Sequence, residues 1–433
     1  MFLCRSQYFR KSSFLLLFCP RIHDNPGLTM IIYYILFFLG LFIIIYNYVG
    51  YGILLWCSVK IKRLFSRAPR EDASHEPTVS LVVAAYNEAG ILHAKIRNTL
   101  ELDYPADKLQ VIFITDGSTD ESPAILSSCP RILGMHLPER NGKTAALNRA
   151  ITAATGDVLI FCDANTFLNR VAVREIVKHY ADPATGGVAG EKRVITAGEV
   201  NNAAATEGIY WKYESLLKKW DAELYSVVGA AGELFSVRKE LYETVPANVV
   251  LDDFVISLRV NLKGYRVAYA PGAYAMETPS DNITEEHKRK VRICAGAFQA
   301  MGMLGGLWKF WKFPLLTFQY VSHRVLRWTI TPLSLIVLLV SNIVIVWQDD
   351  HWFYRLVLLA QGAFYLLATV GYFLAQRKVK STLFYIPYYF LFMNIAVFQG
   401  FARFMKKSQP ASWERSKRQE TDLVMNEAIS TKN

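Results

Sequence analysis

Polar side chains follow three short apolar segments of this sequence, at the point where each segment ends. They are Tyr86, Asn87 and Glu88 after residues 79–85, Asp116 after residues 109–115, and Asp163 with Asn165 after residues 157–162. A carboxylate and an amide oxygen two residues apart suit Mg²⁺ or Mn²⁺, which prefer hard oxygen ligands and leave further positions to substrate phosphates. Asp116 and Asp163 could each be a helix cap or turn residue, but three such endings together favour a ligand site.

A lysine and a pair of aspartates are further candidate site residues, for binding an anion and for proton transfer. Lys143 begins a helical segment, and a cation beside a helix N-terminus favours a bound anion there. The glycine spacing of a P-loop is missing around it, so the sequence does not predict that motif. Asp252 and Asp253 precede an amphipathic helix. Two adjacent carboxylates raise the pKa of one of them toward that of a useful general base, although acids at a helix start can simply stabilise the helix.

A third candidate group is the charge-dense stretch of residues 285–292, which reads Glu-Glu-His-Lys-Arg-Lys-Val-Arg. Arg289 and Arg292 are three residues apart, so they share one face of a helix and could bind a diphosphate together. A solvated helix face without a ligand is the alternative interpretation.

The intervening segments predict how these groups are positioned. Apolar runs predict strands over residues 79–85, 109–115, 157–162 and 267–270, with a possible further strand around residues 187–190; helices are predicted over residues 89–101, 143–155 and a stretch that ends at Leu262. Strands that alternate with helices favour a parallel α/β sheet. In such sheets ligands bind beyond the carboxyl ends of the strands. We therefore expect the three polar endings to meet at one edge of the sheet.

Taken in order, six motifs of this chain resemble those of membrane-embedded family 2 glycosyltransferases, the inverting enzymes related to bacterial polysaccharide synthases. The motifs begin at residues 85, 116, 142, 163, 232 and 252 and read Ala-Tyr-Asn-Glu, Asp-Gly-Ser, Gly-Lys-Thr-Ala-Ala-Leu-Asn, Asp-Ala-Asn-Thr, Gly-Glu-Leu-Phe-Ser-Val-Arg-Lys and Asp-Asp. The resemblance covers residues 77–303. It implies an α/β GT-A fold, which is a Rossmann-like nucleotide-diphospho-sugar transferase domain, in the cytoplasm and combined with transmembrane α-helices.

The same resemblance implies a role for each candidate residue. Binding of the nucleotide sugar is implied for Tyr86, Asn87, Glu88, Asp116, Lys143, Asp163, Arg289 and Arg292. Asp163 and Asn165 match the family's metal motif, for Mg²⁺ or Mn²⁺, with an amide in place of the usual second carboxylate. Asp253 matches the acid that deprotonates the acceptor hydroxyl, and Asp252 is its acidic neighbour. The acceptor-side segment contains Gly232, Glu233 and Arg238.

One departure from the family pattern concerns how many sugars are added. The polysaccharide-synthase motif Gln-x-x-Arg-Trp appears here as Arg-Lys-Val-Arg-Ile over residues 289–293, which keeps Arg292 but lacks the Trp. That Trp normally stacks on the acceptor sugar, so processive synthesis and the transfer of a single sugar both remain open. Residues 413–418 resemble a Trp-x-x-Thr-x-Arg tail of these enzymes, with Ser in place of Thr.

The composition of the chain indicates a membrane protein. Its 433 residues are 52% hydrophobic and carry a net charge of +11, which excludes a mainly disordered chain and favours anionic lipids or phosphorylated substrates over nucleic acid. Four apolar runs are long enough to cross a bilayer, at residues 30–56, 330–347, 353–375 and 383–404. Lys60, Lys62 and Arg63 follow the first run, so the motif-bearing segment after it is expected in the cytoplasm.

Two parts of this topology stay open. Four full crossings would place the tail outside, whereas its basic residues favour the inside. Residues 1–29 are interpreted as an extension ahead of a true start at Met30, or as a weak amphipathic anchor. The predicted organisation is an extension at 1–29, a span at 30–56, a basic linker at 57–76, a GT-A domain at 77–290, interfacial helices at 291–325, three spans within 326–405 and a basic tail at 406–433.

The predicted function is transfer of a sugar from a nucleotide-diphosphate donor, above all a UDP-sugar, to a saccharide or lipid-linked acceptor in polysaccharide or glycolipid biosynthesis. Membrane lipids and accessory export proteins are further expected partners. A membrane-anchored, non-catalytic sensor is the alternative, although Asp163, Asp253 and Arg292 are all present. A transporter is disfavoured because the centres of the spans carry no charge, and Asn342 and Asn394 are expected to form hydrogen bonds between helices.

Overall fold

The computed structural model describes residues 26–66, 71–195, 202–278, 283–377, 379 and 381–406. These residues form an α/β domain and a group of long apolar helices. The predicted N-terminal extension, apart from residues 26–29, and the predicted basic tail, apart from Lys406, lie outside the described residues.

An eight-stranded sheet forms the centre of the α/β domain. Its strands are β1 (Val79–Ala85), β2 (Leu109–Asp116), β3 (Leu133–Leu137), β4 (Val158–Asp163), β5 (Phe167–Leu168), β6 (Thr185–Val194), β7 (Leu234–Arg238) and β8 (Arg266–Glu277). They lie in the order β3-β2-β1-β4-β7-β6-β8-β5. β1 to β4 run parallel, with Val79 paired to both Leu109 and Val158. The carboxyl ends of β1, β2 and β4 therefore meet at one edge, as the sequence predicts.

The sheet is mixed, which corrects the prediction of a parallel sheet. β7 runs antiparallel to both of its neighbours, β4 and β6, and β5 runs antiparallel to β8. β6 and β8 are parallel to each other. Because β7 reverses the chain direction, the residues that precede it lie at the edge where β4 ends, and the residues that follow it lie at the opposite edge.

Helices cover both faces of the sheet. The helices of the chain are α1 (Pro26–Ile45), α2 (Tyr51–Phe65), α3 (Ala89–Leu100), α4 (Ser122–Ser127), α5 (Lys143–Thr152), α6 (Ala172–Val177), α7 (Asn202–Leu224), α8 (Asp252–Leu262), α9 (Ile283–Met303), α10 (Pro314–Tyr320), α11 (Leu326–Trp328), α12 (Ile330–Gln348), α13 (Trp352–Gln376) and α14 (Thr382–Met405). All seven residues of β1 are buried, which is typical of a parallel strand covered on both faces. Val82 belongs to one apolar cluster with Leu147 and Leu258, whereas Val83 belongs to another with Leu92.

Four helical segments are long and apolar enough to cross a membrane. The first is continuous from Gly27 to Phe65 and contains a π-helical turn between α1 and α2; the others are α12, α13 and α14. The predicted hydrogen bonds between apolar helices are confirmed. Asn342 Nδ2 donates to Gln361 Oε1 at 3.0 Å, and Asn394 Nδ2 lies 3.4 Å from the Tyr48 hydroxyl oxygen.

The predicted start of the interfacial segment at residue 291 falls inside a helix, because α9 runs without a break from Ile283 to Met303. After α9 the chain carries three exposed aromatic side chains, Trp308, Phe310 and Trp311. Such a stretch is typical of a surface in contact with lipid head groups.

A buried cluster of charged side chains joins the α/β domain to the apolar helices. Glu214 and Asp221 of α7 flank His323, which lies in a second π-helical turn. His323 Nδ1 lies 2.6 Å from Asp221 Oδ2, and His323 Nε2 lies 3.3 Å from Glu214 Oε2. Glu214 also forms ion pairs with Arg324 and Arg327. We call these five residues the junction cluster.

Candidate active site

One strand end and two helix starts bring a lysine and three carboxylates to one edge of the sheet. Asp163 ends β4, and its Oδ1 lies 2.6 Å from Lys143 Nζ at the start of α5. Asp252 and Asp253 form the first turn of α8. A Cβ atom built on Gly232 would lie 3.2 Å from Asp253 Oδ2 and 3.3 Å from Lys143 Nζ, so Asp253 and Lys143 are neighbours across the backbone that precedes β7.

Burial and mutual repulsion set the protonation of these groups. Burial raises the pKa of Asp253, and the neighbouring Asp252 raises it further, to about 8. Burial also raises the pKa of Asp252. Burial works against the charge of Lys143, but Asp163, Asp252 and Asp253 together raise the pKa of its ammonium above its usual value. The edge thus holds a permanently charged lysine beside a carboxyl group that titrates in a range useful for proton transfer.

Asp116 organises the loop that leads to Lys143. Its buried carboxylate accepts hydrogen bonds from the backbone N–H groups of Asn141 and Gly142, both at 2.6 Å. Arg149 of α5 lies 3.4 Å from the other carboxylate oxygen. Asp116 also lines the cleft at the sheet edge, together with Tyr86 and Lys143. The turn function and the ligand function that the sequence left as alternatives are therefore compatible at this residue.

An aromatic and a basic side chain form one wall of this cleft. The guanidinium carbon of Arg140 lies 3.8 Å from the centroid of the Tyr86 ring, which is a cation–π contact. Both residues line the cleft. Arg140 was not predicted as a site residue, because it stands in a polar loop without a periodic pattern. Its place in the site depends on the fold, which brings the loop before α5 beside the loop after β1.

Asn87 joins two loops at the sheet edge. It adopts a positive φ of 53°, and its Oδ1 accepts a hydrogen bond from the Thr119 N–H at 2.8 Å. Its own N–H donates to Ser118 Oγ at 3.1 Å. The next residue, Glu88, is buried. The structure thus places Asn87 and Glu88 beside Tyr86, within the loops that follow β1 and β2.

The segment before β7 is held by a chain of ion pairs. Lys192 Nζ lies 2.8 Å from Glu233 Oε1 and also pairs with Glu277, and Arg289 Nη2 of α9 lies 3.5 Å from the same Glu233 oxygen. Burial opposes the charge of Glu233, but Lys192 and Arg289 hold its pKa below its usual range. The contact between Glu233 and Arg289 therefore attaches α9 to the segment that contains Gly232. Arg292, one turn further along α9, is partly buried.

Gly229 lies in the same segment and packs against Phe254. It has a φ of +81°, and a Cβ atom there would lie 2.1 Å from Phe254 Cδ2. We expect Gly229→Ala to lower the free energy of unfolding by more than about 1 kcal/mol, because Ala is strained at this φ and overlaps Phe254. Thermal unfolding of the purified protein measures this loss. Gly264→Ala is the matched control, since Gly264 has a φ of +91° but open space around it; equal losses in the two variants would contradict a role for the Phe254 contact.

The residues present fit a divalent metal ion. Asp163 supplies a carboxylate oxygen and Asn165, two residues on, is partly exposed and supplies an amide oxygen. Asp252 Oδ2 is buried and accepts no hydrogen bond within the described part of the chain. The three carboxylates of Asp163, Asp252 and Asp253 also carry more negative charge than Lys143 alone can balance. Over the same residues no group of three or more His, Cys, Asp or Glu side chains could hold a metal alone. The donor set is therefore one that substrate oxygens would complete.

Comparisons with known proteins show which family and fold this chain resembles. The model of the family described as glycosyl transferase family 2 matches residues 80–245. This chain contains a family 2 glycosyltransferase domain. A poly-beta-1,6-N-acetyl-D-glucosamine synthase of Staphylococcus aureus is 24% identical over 279 residues, which are 61% of this chain and 65% of that protein. The probable glycosyltransferase YdaM of Bacillus subtilis is 24% identical over 240 residues, 52% of this chain and 57% of that one. The alignments thus span somewhat less than two thirds of the length of these relatives.

The family 2 domain has the GT-A fold. A mannosyltransferase of Pyrobaculum calidifontis, solved in complex with GDP-Man and Mn²⁺, superposes with a TM-score of 0.64 at 20% identity, over 86% of this chain and 99% of that one. The matched residues of the family 2 domain end before α8. Asp252, Asp253, Arg289 and Arg292 therefore lie beyond it in sequence. Helix α8 brings the two aspartates to the edge, and Arg289 of α9 contacts Glu233 beside it.

Arg238 lies away from this edge, which corrects the prediction that it faces the acceptor. It ends β7 and pairs with Val158 at the start of β4, so it stands at the opposite edge of the sheet from Asp163. Its guanidinium donates to the backbone carbonyls of Tyr180 and Thr185 at 2.9 and 2.8 Å. Within the family 2 domain Arg238 therefore stabilises the polypeptide that connects to β6.

Proposed function

We propose that this protein transfers a sugar, with inversion at the anomeric carbon, from a nucleotide-diphosphate donor to a saccharide or lipid-linked acceptor. The observation that carries the proposal is the meeting of Asp163, Lys143 and Asp253 at the sheet edge of a family 2 domain. We take a UDP-sugar as the donor, on the resemblance of the motifs. Polysaccharide or glycolipid biosynthesis is the process that such a reaction serves.

Asp253 acts as the general base in this proposal. Its Oδ2 accepts the proton of the acceptor hydroxyl while the hydroxyl oxygen attacks the sugar, and the bond to the diphosphate breaks on the opposite face. Asp252 keeps the pKa of Asp253 high, and Lys143 limits the repulsion between them. Gly232 leaves room beside Asp253 for the acceptor, because any side chain there would contact both Asp253 and Lys143.

The donor is held by the other residues of the edge. Tyr86 and Arg140 offer a flat, cationic wall for the nucleobase. Arg289 and Arg292 of α9 are assigned to the diphosphate. Asp163 and Asn165 would hold Mg²⁺ or Mn²⁺, which would offset the negative charge on the departing nucleotide diphosphate.

We place the domain on the cytoplasmic side of a multi-pass membrane protein. Lys60, Lys62 and Arg63 follow the first apolar helix and favour the cytoplasm. Lys62 Nζ donates to the backbone carbonyls of Glu223 and Leu224 at the end of α7, both at 2.8 Å. This contact supports a position of the domain on the same side of the membrane as the basic cluster.

The rate of transfer is expected to rise as the pH increases from about 6 to about 9. Burial and Asp252 raise the pKa of Asp253 to about 8, and a protonated carboxyl group cannot accept the hydroxyl proton. The fraction of active protein therefore grows as the pH passes through this pKa. The measurement is kcat/KM for nucleotide release, which reports the free enzyme. A profile that falls with pH over this range would contradict the role of Asp253.

The proposal is tested by nucleotide release from the full chain in lipid nanodiscs. A panel of nucleotide sugars is offered with Mg²⁺ or Mn²⁺, with membrane extract as the source of acceptor. Release from one donor supports the transferase and identifies its sugar, and the size of the product separates polymer synthesis from single transfer. Tight nucleotide binding without release, even with extract present, would favour the non-catalytic sensor instead.

A further inference from the structure

A fully buried lysine lies directly behind the loop that carries Asp163 and Asn165. Lys95 of α3 has no exposed surface, although lysine is almost never fully buried unless its ammonium is paired. Its Nζ lies 2.5 Å from the backbone carbonyl oxygen of Thr166 and 3.0 Å from Cys162 Sγ. The two partners stand on either side of Asp163 and Asn165 in the sequence.

The loop itself is closed by short contacts that meet at the same place. Thr166 Oγ1 donates to the backbone carbonyl of Asp163 at 2.9 Å and lies 3.1 Å from Cys162 Sγ. Strand β4 fixes the beginning of the loop through its pairing with β1. Lys95 fixes the end of the loop through the Thr166 carbonyl. The segment between these two attachments has little freedom left, and it contains Asp163 and Asn165.

Burial of an ammonium group costs free energy that an apolar side chain of similar length would avoid. Packing alone therefore does not explain a lysine at this position. An ammonium differs from an apolar chain in its three donors, which bind both ends of the loop from one point. Groups that orient metal ligands from behind typically change metal affinity by about 10- to 100-fold when they are removed.

We propose that Lys95 is a positioning residue that holds Asp163 and Asn165 in the geometry in which they bind a divalent cation together with a nucleotide diphosphate. This inference rests on the proposed function, because it concerns the same site. Lys95 does not touch the ligand. It acts through the Thr166 carbonyl and Cys162 Sγ, on the far side of the loop from the cleft.

The test compares the affinity for Mn²⁺, in the presence of UDP and separately of GDP, by electron paramagnetic resonance on the full chain in nanodiscs. Lys95→Met is expected to weaken Mn²⁺ binding by about 10-fold or more, with the affinity for the nucleotide alone unchanged. Lys218→Met is the matched control, since Lys218 is also buried but lies on α7. It should leave the Mn²⁺ affinity unchanged whatever it does to the unfolding temperature.

A folded Lys95→Met protein whose Mn²⁺ affinity stays within about twofold of the original would overturn the inference, because removal of such a group should cost far more. Cys162→Ala decides the matter if Lys95→Met fails to fold. It removes the Sγ atom that lies 3.0 Å from Lys95 Nζ, so unchanged Mn²⁺ affinity in that variant would also overturn the inference. If the unaltered protein binds no Mn²⁺ with either nucleotide, the proposed function itself fails, and the inference fails with it.

Discussion

Replacement of Asp253 by Asn is expected to slow sugar transfer by about 10³-fold, which is the usual contribution of a positioned general base. Asn keeps the size of the side chain at the start of α8 but cannot accept the proton of the acceptor hydroxyl. The affinity for the nucleotide should persist, because Tyr86, Asp116 and Lys143 line the cleft independently of this side chain. Nucleotide release and nucleotide binding, measured on the same preparation, separate the two effects.

The same substitution is expected to raise the unfolding temperature of the metal-free protein. The pKa of Asp253 rises from 3.8 to about 8 on folding, so the folded protein holds a proton that the unfolded chain releases between these values. Stability is therefore greatest below the unfolded pKa and is lost as the pH rises through the folded one. Asn does not titrate, so the gain in unfolding temperature should be clear at pH 8 and absent near pH 4.

Asp107→Asn is the matched control for this variant. Asp107 is exposed in the turn ahead of β2, at the end of that strand opposite to the site. Its replacement should change neither the rate nor the unfolding temperature, since a surface substitution of this kind is usually worth less than about 0.5 kcal/mol. An Asp253→Asn protein that retained more than about a tenth of the original rate would exclude Asp253 as the general base.

A second large effect is expected in the junction cluster. Glu214→Gln should lower the free energy of unfolding by about 3–5 kcal/mol, because it leaves buried cations without their partner. Glu214 is almost fully buried and pairs with Arg324, Arg327 and His323. Burial acts to raise the pKa of Glu214, but Arg327, the hydrogen bond with His323 and Arg324 hold it well below its usual range. Its stabilising charge is thus present at neutral pH and is lost only in acid.

Glu223→Gln on the same helix is the control for this prediction. Glu223 pairs with Arg63 at the surface, where both side chains remain partly exposed. An exposed pair of this kind contributes less than about 1 kcal/mol. Chemical or thermal unfolding in nanodiscs measures both variants, and similar losses in the two would show that the junction cluster is not a stabilising network.

The junction cluster also contacts the segment that packs beside Asp253 and Phe254. Arg324 Nε donates to the backbone carbonyl of Val228 at 3.1 Å, and Val228 precedes Gly229, which packs on Phe254. Phe254 follows Asp253 directly. Loss of Glu214 should therefore reduce the transfer rate at temperatures where the protein is still folded, whereas Glu223→Gln should not.

The sequence predicted three of the parallel strands, β1, β2 and β4, because they are built from local signals, but it did not predict β3. β1, β2 and β4 are short apolar runs that end in polar residues, and Asp116 and Asp163 stand at those ends. The pairing of β7 is a non-local property. The sequence of residues 234–238 does not give the direction in which this strand pairs, and only the antiparallel pairing with β4 places Arg238 at the edge opposite to Asp163.

Lys95 illustrates a second limit of prediction from sequence. A lysine in an amphipathic helix is normally interpreted as part of the solvated face, and residues 89–101 give no local reason to expect otherwise. Its burial depends on β4 and on the loop after it, which come more than 60 residues later in the chain. Arg140 was missed for the same reason, since its partner Tyr86 belongs to another loop.

The first apolar helix has a consequence for the acceptor. At 39 residues it is about 58 Å long, which is nearly twice the hydrocarbon thickness of about 30 Å. Its second half is buried against α7 through Tyr51, Leu55 and Val59. In a bilayer this helix would therefore connect the membrane to the α/β domain. In the proposed orientation this helix sets the distance of Asp253 from the membrane surface. The acceptor would then be selected by the height of its hydroxyl group above the membrane as well as by its contacts, because only a hydroxyl group at that height can contact Asp253.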